Sequence, residues 1–204
     1  MKLTRLPHHT LAIVRGRDRA AALRTVLTLA EEGLTATEVP LTTTDALWVI
    51  EQARRELGPD ALLGAGTVLT PGQAARAADA GAGFLVTPGV VEGLGTRLPV
   101  LMGAMTPTEI ISATSHGALA VKLFPASLGG PAYLTTLRAP FPDVPLLPVG
   151  GIDAAAARAY LDAGAVAVGA GAPLIGDAAD GGDLTALRAR AAQWRSSLAE
   201  AATL

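Results

Sequence analysis

Short runs of apolar residues alternate with longer, alanine-rich runs along almost the whole chain. The short runs are continuously apolar, as in strands buried on both faces, whereas the longer runs repeat apolar positions with the period of an amphipathic helix. The short runs predict eight strands, at residues 10–16, 36–41, 62–67, 83–88, 100–105, 119–125, 146–151 and 165–170. The longer runs predict helices near residues 18–32, 44–57, 71–80, 107–115, 131–138, 153–163 and 183–201.

Strands that alternate with helices indicate an α/β fold with a parallel sheet, because each crossover helix must pack back onto the sheet. Eight such units predict a (β/α)8 TIM barrel, with residues 1–204 as a single domain. An open, doubly wound sheet has the same alternation. The count of eight strands and the lack of a dinucleotide-binding fingerprint favour the barrel. Residues 89–99, between the fourth and fifth strands, have room only for a shortened helix.

Composition narrows the class of partner. Half of the residues are hydrophobic but only 3% are aromatic, so we expect a core of alanine, leucine and valine. The formal net charge of -2 provides no basic surface for nucleic acid or an anionic membrane, which leaves a small molecule as the expected partner. Cysteine is absent, which excludes disulfides and thiolate chemistry. Since no stretch resembles a signal peptide or a membrane span, we expect a cytoplasmic protein.

A lysine interrupts the sixth predicted strand, LAVKLFPAS, at residues 119–127. Burial among apolar neighbours disfavours the charged form of an amine, and the neutral amine is the form that attacks a carbonyl. Lys122 is therefore a candidate nucleophile that would form a Schiff base with a keto substrate. The local sequence leaves open a structural alternative, in which Lys122 extends outward or pairs with Glu38.

Glu38 lies at a matching depth in the second predicted strand, TATEVPL. A carboxylate beside a Schiff-base lysine can transfer protons as the adduct forms and breaks down. By itself Glu38 has an equally simple structural interpretation, because strand alternation could turn it outward toward a helix. The combination of Lys122 and Glu38 carries more weight than either residue.

Glycines follow the last two predicted strands, with Gly150 and Gly151 after the seventh and Gly171 after the eighth. In barrels this edge commonly binds phosphate through backbone N–H groups, although glycines also serve simply to turn a chain. The three histidines are scattered, and no ligand spacing accompanies them, so the sequence predicts no metal site.

Eight blocks, in order over nearly the full chain, resemble the Schiff-base aldolases that cleave 2-keto-3-deoxy-6-phosphogluconate (KDPG), many of which also act on 4-hydroxy-2-oxoglutarate (KHG). The blocks are AIVRG, EVPLT, GAGTVLTPGQ, LVTPG, MTPTE, VKLFPAS, GPAYLTTLRAPFPDVPLLPVGGI and GAGAPL. The resemblance implies that Lys122 forms the imine with pyruvate and that Glu38 is the acid/base.

The resemblance also implies a set of substrate-binding residues. Thr67, Pro88 and Phe124 would frame the pyruvyl group, and Arg15 would help to hold its carboxylate. The backbone at the remaining positions would receive phosphate, namely Gly150, Gly151 and Gly171. A homotrimer without metal or organic cofactor is implied as well.

Three positions depart from the resemblance. The gluconate enzymes often carry an arginine four residues after the glutamate, where this chain has Thr42, and EVPLT looks nearer to the version that acts on the galactonate epimer. The phosphate turn has Ala172 where a serine is usual, and Val149 replaces a frequent threonine. Two missing hydroxyl donors would weaken phosphate binding by about 1 kcal/mol each. The need for a phosphorylated substrate therefore stays open.

We predict a class I aldolase, a lyase of carbohydrate metabolism such as the Entner-Doudoroff route. It would cleave KDPG, KHG or both to pyruvate and an aldehyde, either glyceraldehyde 3-phosphate or glyoxylate. The first alternative is the 6-phosphogalactonate version. More distant alternatives are a non-covalent phosphosugar isomerase or epimerase with Glu38 as base, and a non-catalytic barrel that binds phosphometabolites.

Overall fold

The computed structural model describes residues 6–199 and contains one eight-stranded sheet. All strand pairs are parallel, and the sheet order follows the chain, with the eighth strand beside the first. A backbone bridge between Val149 and Gly169 joins the seventh strand to the eighth and completes the ring. The predicted (β/α)8 barrel is therefore confirmed. Its strands are β1 Thr10–Ile13, β2 Ala36–Pro40, β3 Leu62–Gly66, β4 Leu85–Val86, β5 Val100–Ala104, β6 Ala120–Leu123, β7 Leu146–Pro148 and β8 Val168–Ala170.

The helices that follow the strands are α1 Arg19–Glu31, α2 Ala46–Leu57, α3 Pro71–Asp79, α4 Pro107–Ser115, α5 Gly130–Arg138, α6 Ala154–Asp162, α7 Ala172–Ile175 and α8 Leu184–Ala199. Four of them, α1, α3, α4 and α6, begin at a residue whose side chain accepts from their free N–H groups. Asp18 accepts hydrogen bonds from the N–H groups of Ala20 and Ala21, and Thr106 forms a capping box with Glu109.

Two details differ from the sequence-based expectation. Residues 87–99, between β4 and β5, contain no helix, so the expected shortened helix is wrong. Gly93 and Gly95 there have φ angles of 64° and 61°, which a right-handed helix cannot contain. The one-turn α7 was not predicted. The predicted end of the last helix at residue 201 lies outside the described residues, and the single domain over residues 1–204 stays a prediction.

Alternate residues of each strand face the inside of the barrel, where they form a core of their own. This inner core consists of Leu6, Leu11, Ala36, Phe84, Val86, Leu101, Ala120, Leu147, Val149 and Ala167. A larger core lies between the sheet and the helices and is rich in alanine, leucine and valine, as the composition predicted. Two residues beyond Ala36 and Ala120 on the same inner faces come Glu38 and Lys122. The strand period therefore directs both side chains into the barrel mouth.

Candidate active site

The carboxyl ends of the strands surround a cavity of about 770 Å³. It is lined by every residue that the sequence singled out for chemistry or binding, although those residues are spread over the chain. They come from the ends of seven strands, all except β5. The lining includes Arg15, Glu38, Thr67, Pro88, Lys122, Phe124, Gly150, Gly151 and Gly171.

Lys122 lies on β6 between Gly103 of β5 and Leu147 of β7, and its exposed fraction is 6%. Its Nζ atom stands 5.1 Å from the centre of the Phe124 ring, within range of a cation–π contact. Among residues 6–199, no ion pair within 4.0 Å includes Lys122. The amine is thus buried at the cavity and forms no direct ion pair with Glu38, unlike in the structural alternative.

Glu38 on β2 is 2% exposed, and its Oε2 atom is buried without a hydrogen-bond partner among the described residues. Burial raises the pKa of Glu38, and the positive charges of Lys122 and Arg15 oppose that rise. A carboxyl group with a raised pKa exchanges protons closer to neutral pH than an ordinary glutamate does. Glu38 is therefore suited to both accept and donate a proton beside the amine.

Thr67 begins the loop after β3 with a φ angle of 57°, a left-handed conformation that β-branched residues rarely adopt. The flanking N–H of Val68 donates to the carbonyl of Val86 at 3.1 Å, which ties this loop to β4. Strained backbone of this kind is common where a side chain must be held at a functional site. The conformation holds Thr67 in the cavity wall.

The buried hydroxyl of Thr87, the residue before Pro88, fixes the backbone around Pro88. That hydroxyl donates to the carbonyl of Gly89 at 2.6 Å and accepts from the N–H of Gly103 at 3.3 Å. A Cβ atom at position 103 would collide with the Pro88 carbonyl, so only glycine fits there. These contacts together hold Pro88 in the cavity wall.

The part of the cavity wall that follows β7 and β8 is built largely from backbone. Gly150 and Gly151 have φ angles of 114° and 70°, which favour glycine, so no side chain covers the turn after β7. Ala172 and Val149 line the cavity without supplying a hydroxyl. Thr42 is exposed and is not among the described residues that line the cavity.

The sequence missed part of the lining, namely Ile13, Pro173, Ile175, Gly176 and Asp180. Strand alternation could have found Ile13, since it ends β1 and precedes Arg15 by two residues. Asp180 had no local signal, because it lies in the segment between α7 and α8. Its carboxylate accepts a hydrogen bond from the backbone N–H of Arg17 at 2.6 Å.

Within residues 6–199, no group of three or more histidine, cysteine, aspartate or glutamate side chains is arranged to hold a metal ion. None of the helices over that range is both long and apolar enough to cross a membrane.

Known proteins with the same architecture resemble this chain over most of its length. A sequence profile described as KDPG and KHG aldolase matches residues 3–189. A probable 2-dehydro-3-deoxy-6-phosphogalactonate aldolase of Rhizobium meliloti is 37% identical over 180 residues, covering 85% of each chain.

Two solved structures superpose on nearly the whole barrel. The structure titled native KDPGal has a TM-score of 0.88 and 32% identity, with 96% of both chains covered. A KDPG aldolase from Legionella pneumophila, captured with pyruvate as a covalent carbinolamine, has a TM-score of 0.80 and 25% identity, again with 96% of both chains covered. With the profile spanning most of the chain, and a buried lysine and glutamate in one barrel mouth, the chain belongs to the KDPG and KHG aldolase family of lyases.

Proposed function

We propose that this protein is a class I aldolase in which Lys122 forms a Schiff base with the C2 ketone of a 4-hydroxy-2-keto acid. The observation that carries the proposal is the placement of one buried amine and one buried carboxyl in the same cavity of about 770 Å³. Either residue alone has a structural interpretation. Because both groups face one cavity, the pair has a chemical interpretation, in which the amine reacts and the carboxyl transfers protons.

Lys122 Nζ attacks C2 to form a carbinolamine, which loses water to give a protonated imine. The imine then withdraws the electron pair of the C3–C4 bond as the C4 hydroxyl loses its proton to a base. An aldehyde leaves, and the enamine of pyruvate remains on Lys122. Protonation at C3 and hydrolysis release pyruvate and restore the amine.

Glu38 is the acid/base of the proposal. Its raised pKa allows it to take the C4 hydroxyl proton and to return a proton at C3 within one turnover. Arg15 supplies the guanidinium among the described lining residues, and we assign to it the substrate carboxylate. Thr67, Pro88 and Phe124 form the wall against which the pyruvyl group would lie.

The leading substrates are KDPG and KHG, which would give glyceraldehyde 3-phosphate and glyoxylate beside pyruvate. The glycine backbone of residues 150, 151 and 171 is assigned to the phosphate of KDPG. The galactonate epimer is the second candidate, favoured by Thr42 and by the Rhizobium meliloti relative. Neither reaction needs a metal or an organic cofactor, because the protonated imine accepts the electrons. The cytoplasmic location stays a prediction.

A homotrimer is part of the proposal. Ile111 on α4 and Leu128 after β6 are 59% and 77% exposed, and Leu69 after β3 is 49% exposed. Leu69 follows β3, whereas Ile111 and Leu128 lie before and after β6, and we propose that Leu69 of one copy contacts Ile111 and Leu128 of the next. Contacts of this head-to-tail kind close into a ring when the rotation permits.

Trapping with pyruvate and borohydride tests the mechanism with a built-in control. The chain has two lysines, Lys2 and Lys122, so peptide mapping separates specific from random modification. We expect a reduced pyruvyl adduct on Lys122 only, and none in Lys122→Arg. An unmodified Lys122 together with activity in Lys122→Arg would contradict the mechanism and favour a non-covalent isomerase. A lactate-dehydrogenase-coupled assay with KDPG, its galactonate epimer and KHG then ranks the substrates.

A further inference from the structure

Strand β3 carries two glycines on its inner face, and each leaves room for a different neighbour. Gly64 faces the ring of Phe84, which fills the space that a side chain would take. Gly66 faces the carboxyl group of Glu38. A Cβ atom at position 66 would lie 2.8 Å from Oε1 and 3.0 Å from Cδ of Glu38.

The backbone does not require glycine at position 66. Gly66 ends β3 in regular strand conformation, and it is absent from the positive-φ residues of the described chain. Its peptide groups are engaged normally, since its carbonyl accepts from the N–H of Leu41 at 2.8 Å. The main obstacle to a methyl group at this position is therefore the carboxyl of Glu38, with the Pro40 Cα atom next at 3.3 Å.

We infer that Gly66 is a positioning residue for catalysis, whose missing side chain provides the space in which the Glu38 carboxyl stands beside the cavity. The inference rests on the proposed function, because it acts through the proton transfers of Glu38. Gly66 itself would touch no substrate.

A methyl group at position 66 would displace the carboxyl group of Glu38 and leave the fold unchanged. Carbon and oxygen atoms in ordinary contact are about 3.5 Å apart, so the carboxyl would retreat by roughly half an ångström or more. The end of a glutamate side chain can make that shift by rotation, whereas the strand pairing of β2 and β3 would stay intact. Misplacing a reacting group by about 1 Å can cost about a hundredfold in rate.

The test compares Gly66→Ala with Gly72→Ala, a control on the exposed face of α3 where an added Cβ meets nothing within 4 Å. For Gly66→Ala we expect kcat to fall by about 10-fold to 100-fold, with a smaller change in KM. Pyruvate and borohydride should still label Lys122 to completion. Because the pKa of a buried carboxyl depends on its immediate surroundings, the limb of the pH–rate profile that belongs to Glu38 should shift. Gly72→Ala should match the wild type in every measurement.

A double-mutant cycle with Glu38→Gln separates positioning from simple crowding. Glutamine has the same shape as glutamate, so the steric clash with the methyl group added at position 66 is equal in both backgrounds. If Gly66 acts through the acid/base chemistry of Glu38, Gly66→Ala should change kcat less than about twofold in the Glu38→Gln background.

Equal losses in both backgrounds, or a wild-type kcat and pH profile for Gly66→Ala, would overturn the inference and leave the aldolase assignment in place. Absence of both pyruvate formation and a Lys122 adduct in the wild type would overturn the assignment and the inference together.

Discussion

Replacing Glu38 by glutamine should abolish most activity and yet stabilise the protein at neutral pH. The carboxyl is 2% exposed, its Oε2 atom has no hydrogen-bond partner among the described residues, and burial is the largest influence on its pKa. Glutamine keeps the volume but removes the buried charge. The unfolded chain gains nothing from the change, because there the carboxylate is hydrated.

The size of the effect follows from the buried, unpartnered oxygen. Leaving such a group without a partner costs about 1–3 kcal/mol. Since glutamine keeps an unpaired but neutral polar group, only part of this cost is removed. We therefore expect the free energy of unfolding of Glu38→Gln to exceed that of the wild type by about 1 kcal/mol. For a domain of this size that corresponds to a rise in Tm of about 2–4 °C. Loss of attraction to Lys122 and Arg15 opposes the gain without cancelling it, because burial outweighs both charges.

The pH dependence of the free energy of unfolding follows from the direction of the pKa shift of Glu38. A carboxyl whose pKa is higher in the folded than in the unfolded state binds more protons when folded, so the free energy of unfolding falls as pH rises between the two pKa values. The extra stability of Glu38→Gln over the wild type should therefore be absent below about pH 4. It should appear as pH rises above the ordinary glutamate pKa of about 4.3 and level off above the pKa of Glu38 in the folded state.

Urea unfolding of both proteins between about pH 4 and pH 8, followed by circular dichroism, measures this difference. Glu109→Gln serves as a control of opposite sign, because N–H groups of Met105 and Thr106 lower the pKa of Glu109. That variant should lose stability relative to the wild type as pH rises. A Glu38→Gln protein that is less stable than the wild type at neutral pH, or equally more stable at acid pH, would refute the reasoning.

Three further predictions concern the cavity wall, its rim and the surface. Thr87→Val should lower the unfolding free energy by about 1–3 kcal/mol and raise KM, because the hydroxyl that braces Pro88 is lost; an unchanged melting curve and KM would contradict this. Asp180→Asn should lower KM for KDPG more than for KHG, since it removes a negative charge from the cavity rim; equal effects in the coupled assay would argue that Asp180 lies away from the phosphate. Leu128→Glu should shift a trimer toward monomers in sedimentation velocity without changing the circular dichroism, and an unchanged oligomer would place the interface elsewhere.

Strand and helix order was accessible from the sequence because it depends on local periodicity. The period of two that buries Ala36 and Ala120 also directs Glu38 and Lys122 inward, so a buried lysine was a sound candidate. The region between β4 and β5 was misjudged, because left-handed Gly93 and Gly95 are individual conformations that a hydrophobic pattern does not reveal.

By itself the sequence determined the order of strands and helices and the family resemblance, since both follow from short patterns along the chain, but it left open whether the amine and the carboxyl face inward. Tertiary structure alone decided which residues meet: Gly66 against the Glu38 carboxyl, Asp180 at the cavity rim, and the orphaned Oε2 atom. Contacts of this kind depend on strand register and on the paths of distant loops, which are set by the packing of the whole barrel.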